Sequence, residues 1–123
     1  MPDPRHLLGQ RGEEMAAVWL TSRGWTIVAR RWRSPAGELD LVGLDPDGVL
    51  VAVEVKLRRS SRVGEPPEAI DRRRLLRLRA ALGQFRAASD GPMRRDLRVD
   101  LLAVSRGPDR SWRLEHHRAI DAW

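Results

Sequence analysis

ELDLVGLDPDGVLVAVEVKL, from Glu38 to Leu57, decides how this chain folds. Asp45-Pro46-Asp47-Gly48 divides it with residues that favour a tight turn, and β-rich runs stand on either side. The stretch therefore reads as a hairpin, with one strand from Glu38 to Leu44 and the next from Val49 to Leu57. The second strand is apolar on both faces until Glu54, which is the pattern of a central strand. Glu38 and Asp40 stand two apart and are expected to share a face, as are Glu54 and Lys56. With the turn centred near 46–47, Asp40 falls opposite Glu54 or Lys56, so two carboxylates and an ammonium are expected on one patch of sheet.

Upstream, residues 7–23 read as a helix. Leu8, Met15, Val18, Trp19 and Leu20 recur at helical spacing, Arg11, Glu13 and Glu14 lie between them, and Gly24 ends the run. Trp25 to Trp32 reads as a strand, and residues 34–37 as a turn. Downstream, residues 58–65 read as a charged loop and 67–88 as a helix. Ile70, Leu75, Leu78, Leu82 and Phe85 form its apolar stripe, and Arg72, Arg73, Arg74, Arg77 and Arg79 coat the rest. Residues 89–95 read as a loop, Leu97 to Val104 as a fourth strand, Trp112 to Glu115 as a short fifth, and 116–123 as a helical turn. The order α-β-β-β-α-β-(β) predicts one α/β domain spanning 1–123. Three strands form an antiparallel meander, and the second helix crosses over to a further strand in a mixed central sheet flanked by helices.

The 123 residues are 41% hydrophobic and 33% charged, enough for a modest core in a single domain. The absence of cysteine excludes disulfides, iron–sulfur clusters and cysteine-based zinc sites. No run approaches the roughly 18 apolar residues of a membrane span. The first residues turn acidic where a signal peptide would turn apolar, so a cytoplasmic protein with no membrane partner is expected. The net charge of +6 and pI of about 11.4 point to a polyanionic partner, nucleic acid first. Of the 23 basic residues only Lys56 is lysine. A bias towards Arg codons replaces exposed lysines freely, so a position that stays lysine points to a need for a compact ammonium.

Two half-buried acids in apolar strands repel each other and lose solvation. A divalent cation resolves the conflict, because carboxylate oxygens suit Mg²⁺, which keeps several waters and needs few protein ligands. Such an ion activates water towards a phosphodiester, and Lys56 could orient that water or balance charge in the transition state. Glu13, on the first helix, could add a ligand or a supporting contact. The rival reading of Asp40, Glu54 and Lys56 is a salt bridge across a hairpin, which would need one acid rather than two. His116 and His117 are adjacent, a poor spacing for metal ligands, and Trp25 and Trp32 read as core residues rather than base-stacking platforms.

Glu38-Leu39-Asp40-Leu41-Val42 followed by Val53-Glu54-Val55-Lys56 resembles the YraN family, a bacterial group of the PD-(D/E)XK nuclease superfamily. The likeness extends to Gly9, Gly12, Glu13 and Ala16 on the first helix, then Leu20, Gly24 and Ile27. It continues through Arg33 and Gly37 before the acidic strand, Gly64 and Pro66 before the second helix, and Asp100 in the late strand. The resemblance implies a restriction endonuclease-like fold. It implies Asp40 and Glu54 as ligands of Mg²⁺ or Mn²⁺, Lys56 as the catalytic lysine, and Glu13 as a helix-borne catalytic acid. Glu38 matches the motif without a metal role and is expected to support its neighbours. Arg31 stands where the family often has Asn, and Arg73 or Arg74 where it usually has Lys. Arg33, Arg58, Arg73 and Arg74 are the expected contacts to nucleic acid.

The expected activity is metal-dependent hydrolysis of phosphodiesters in DNA, branched or single-stranded, with a second copy or a partner protein assisting so small a domain. The alternatives are a non-catalytic nucleic-acid- or partner-binding module that keeps the nuclease fold, and an RNA-processing enzyme. No Gly-rich phosphate loop and no nucleophile elbow is present.

Overall fold

The computed structural model describes residues 4–58, 70–89 and 96–120, with side chains in the first helix from residue 11 onward. In chain order the elements are α1 (Pro4–Ser22), β1 (Thr26–Ser34), β2 (Gly37–Leu44), β3 (Leu50–Arg58), α2 (Arg72–Ala88), β4 (Leu97–Arg106) and β5 (Trp112–His117). The strands form one sheet in the order β1-β2-β3-β4-β5. The first three pair antiparallel, β3 and β4 pair parallel across the α2 connection, and β5 returns antiparallel to β4. This is the mixed α/β sheet flanked by helices that the sequence predicts.

Local chemistry sets the boundaries. At the hairpin turn, Asp45 Oδ1 accepts the backbone N–H groups of Asp47 and Val49, each at 2.9 Å. Gly48 takes φ +83°, a backbone that other residues adopt at a cost. After α1 the Trp25 N–H reaches back to the Leu20 carbonyl at 3.1 Å. Gly24 sits at φ +89° and turns the chain into β1. For α2 the described start, Arg72, is later than the expected 67. Asp71 is extended and its carboxylate accepts the Arg74 N–H at 2.7 Å, capping the helix there. Residues 59–69, including Gly64 and Pro66, lie outside the described residues, as do 90–95. The helical turn expected at 116–123 is corrected: His116 and His117 extend β5 by pairing with Leu102 and Leu101. Residues 121–123 lie outside the described set.

Two apolar layers hold the sheet. Beneath α2, Leu39, Val42, Leu50, Ala52, Val99 and Leu101 meet Leu75, Leu78, Leu82 and Phe85. Against α1, Leu41, Val51, Val53 and Leu102 meet Ala16, Ala17, Leu20 and Trp25. β3 thus alternates between the layers with apolar residues on both faces, as a central strand must. Trp25 is buried, and Trp32 meets Phe85 edge-on with ring centroids 5.2 Å apart. Both act as packing residues.

The α1 side also carries a polar knot. The Arg98 guanidinium donates to Asp45 Oδ2 at 2.8 Å and to both oxygens of the fully buried Asp100 at 2.8 and 3.1 Å. Asp100 also accepts from His116 Nε2 at 2.8 Å and from the Ala119 N–H at 2.9 Å. The knot ties the hairpin turn, β4 and the segment after β5 together. Among the described residues no helix is long and apolar enough to cross a membrane.

Candidate active site

The sheet forks at Asp40. The β2–β3 ladder runs from Leu44↔Leu50 to Leu41↔Val53, and no backbone pair follows. Beyond it β2 continues along β1 as far as Ser34↔Gly37, and β3 continues along β4 as far as Arg58↔Ser105. Asp40 bridges the fork, its Oδ2 accepting the Val55 N–H at 3.0 Å.

A change of face accompanies the fork. Leu39 and Val42 stand three apart yet both join the core beneath α2, as do Ala29 and Trp32 on β1. Strict alternation would put each pair on opposite faces. Asp40 and Arg31 lie inside these intervals, and Arg31 takes φ 48°, a left-handed backbone within a strand. Glu38 and Asp40, both within electrostatic reach of Arg31, take different partners. Glu38 pairs with the exposed Arg33 at 3.1 Å, near the β1–β2 turn. Asp40 turns to β3.

Around Asp40 four elements contribute charge. Burial is the first cause that pushes its carboxyl up to about 7, and the neighbouring charges of Glu54 and then Glu13 add to it. The Val55 N–H and the Arg74 guanidinium pull the other way. Glu54, on β3, is itself buried. Its Oε1 accepts from Arg74 Nη2 at 2.8 Å, whereas its buried Oε2 has no hydrogen-bond partner. Glu13 faces the cluster from α1 and pairs with Arg31 Nε at 2.8 Å. The adjacent Gly12 lies against Val55 and Leu57, where the helix approaches β3.

Residues 12–104 match the family model described as "Uncharacterised protein family UPF0102". This chain belongs to the UPF0102 family. A UPF0102 protein of Beutenbergia cavernae is 42% identical over 113 residues, covering 92% of this chain and 94% of its own length. One from Renibacterium salmoninarum is 43% identical over 113 residues, covering 92% and 94%. One from Symbiobacterium thermophilum is 46% identical over 105 residues, covering 83% and 85%.

The UPF0102 span runs from Gly12 in α1 to Val104 in β4 and so includes Glu13, Asp40, Glu54, Lys56 and Arg74, while β5 follows it. Within it the fold brings Glu54 and Glu13 each into electrostatic reach of Asp40. Lys56 is half-buried two positions beyond Glu54 on β3, beside Ala103 of β4. Arg58, half-buried, ends β3, and Arg73 is exposed on α2. Among the described residues no group of three or more His, Cys, Asp or Glu is arranged to hold a metal. Two roles were missed from sequence. Arg74, read as a phosphate contact, is the partner of Glu54, and Arg31, read as a departure from the YraN pattern, is the partner of Glu13. The one available signal for Arg74 was its position, where the resemblance expects another cation.

Proposed function

We propose that this UPF0102 protein is a divalent-metal-dependent endonuclease of the PD-(D/E)XK type acting on DNA. The observation that carries the reading is the under-compensated acid pair. Glu54 keeps a buried carboxylate oxygen without a donor, beside an Asp40 whose ionisation is held up to about 7 by burial and by Glu54. Stability alone does not explain that arrangement in the central part of a sheet. The donor set fits a hard cation such as Mg²⁺ or Mn²⁺, which takes carboxylate oxygens and keeps part of its water shell. Asp40 and Glu54 would hold it. When bound, such an ion supplies Lewis-acid activation of water and neutralises phosphate charge.

The chain's own residues supply the rest. Arg74 fixes the Glu54 carboxylate through one oxygen and leaves the other available. The Val55 N–H orients Asp40. Lys56 offers an ammonium to orient the attacking water and to balance charge on the phosphate. Glu13 carries negative charge towards Asp40 from α1, tethered by Arg31. One site cuts one strand, so cleavage of both strands of a branched duplex calls for a second copy or a partner. A lone monomer peak in light scattering with branched DNA would count against that assembly.

The test is incubation with flapped, branched, single-stranded and duplex DNA in Mn²⁺ or Mg²⁺. Cleavage is expected that EDTA stops, and Asp40→Asn or Lys56→Met should each lower the rate by about a hundredfold or more. The rival reading, a binding module that keeps the fold, draws on the Arg74–Glu54 pair, which already gives one acid a cation. Metal-independent DNA retardation, no cleavage, and indifference to Asp40→Asn would establish that rival.

A further inference from the structure

The outer face of α2 carries a feature that the acid pair does not use. Arg72, Arg73, Leu76, Arg77 and Ala80 line a shallow groove whose other wall is Ala36, in the turn between β1 and β2. The turn is held against the helix by the Ala36 N–H, which donates to Gln84 Oε1 at 3.3 Å. The groove floor is aliphatic, and Leu76 is 55% exposed. Its rim is cationic, with the guanidiniums of Arg72, Arg73 and Arg77 on exposed positions. Arg73 and Arg77 stand one turn apart, about 6 Å along the axis. Arg74, next in the chain to Arg73, is not part of the groove and instead reaches Glu54.

We infer that this groove binds an unpaired stretch of DNA, with the phosphates on Arg72, Arg73 and Arg77 and a base face against Leu76, Ala36 and Ala80. The inference rests on the nuclease reading for its choice of DNA, and it adds the substrate class. Charge complementarity identifies a polyanion: three guanidiniums line one short helical surface in a chain of net charge +6. The floor identifies the strand state. A duplex keeps its base faces stacked inside and presents phosphates and groove edges, so an aliphatic floor between cations has no apolar surface to cover. An unpaired base offers one.

The test measures binding apart from cleavage, by fluorescence anisotropy in EDTA on an Asp40→Asn background. The probes are an oligothymidylate of about 15 nucleotides, a duplex of equal length and the matching RNA. Single-stranded DNA is expected to bind more tightly than either of the others. Arg73→Ala with Arg77→Ala should weaken single-strand binding about tenfold or more and flatten the salt dependence by about 1.4 log units per log unit, two phosphates' worth. Leu76→Ser should weaken the single strand about threefold and leave the duplex unchanged. Arg110→Ala, the loss of one positive charge at the β4–β5 turn, should leave every affinity unchanged. Circular dichroism checks that these surface variants fold. Equal affinity for duplex, tighter binding of RNA, an effect of Leu76→Ser on both strand states, or Arg110→Ala matching the groove double variant would each overturn the proposal. Cleavage by a protein whose groove variants bind normally would sink the groove and leave the nuclease reading standing. Groove-dependent binding without cleavage in any metal would do the reverse.

Discussion

Asp40 carries the sharpest single-residue consequence. Its folded-state carboxyl is raised from 3.8 to about 7, so between those values the folded chain holds a proton that the unfolded chain releases. Asp40 therefore makes the metal-free protein less stable as pH rises from about 4 to about 7. Asp40→Asn keeps an oxygen for the Val55 N–H and removes the charge. The metal-free variant should melt several degrees above the parent at pH 8, a gap that closes as pH falls below about 3.8, as read by calorimetry. Mn²⁺ should raise the melting temperature of the parent and not of the variant. Coincident melting at pH 8 would show that the acid pair is not under-compensated. The closeness of Asp40 and Glu54 was readable in sequence because acids stand out in apolar strands. Arg74 was not, because nothing local distinguishes it from the other arginines of α2.

Among the elements, the hairpin and the central place of β3 followed directly from Asp45-Pro46-Asp47-Gly48 and the apolar run before Glu54. The fork did not. Period-two reading assumes regular alternation, and β1 and β2 break it together near Arg31 and Asp40, with no glycine to announce it. An arginine in the left-handed region is strained by roughly 1 kcal/mol or more. Arg31→Gly is accordingly expected to keep the fold within about 1 kcal/mol, relief of strain offsetting the lost Glu13 pair, whereas Arg31→Val should cost about 2 kcal/mol or more. Urea denaturation of the two variants checks this, and equal costs would mean that the backbone at this step is not what matters.

The molecule as a whole is closed at the end opposite the fork by the knot of Asp45, Arg98, Asp100 and His116. Burial would raise both acids. For Asp45 the Val49 N–H and the Arg98 guanidinium outweigh it, and for Asp100 His116 and Arg98 do, so both are held below 3.8. Their contribution to stability is present above about pH 4 and lost as pH falls through the folded values. Asp100→Ala takes the acceptor from His116 and the Ala119 N–H and leaves the largely buried Arg98 guanidinium with Asp45 alone, and should cost about 3–5 kcal/mol in urea denaturation at pH 7. A cost below about 1 kcal/mol would mean that the knot is dispensable. Sequence reading placed Asp100 in a late strand without seeing the knot, because its members are 45–116 in chain numbering and meet only once the sheet has formed.

The fork leaves Val55 with an unusual acceptor, a titrating carboxylate in place of a strand carbonyl. Its amide resonance is thus a spectroscopic window onto Asp40, expected to move with the acid's protonation near neutral pH and, under the proposed metal site, again when Mg²⁺ or Mn²⁺ is added. One backbone hydrogen would report the state of the whole site with no substrate in the tube.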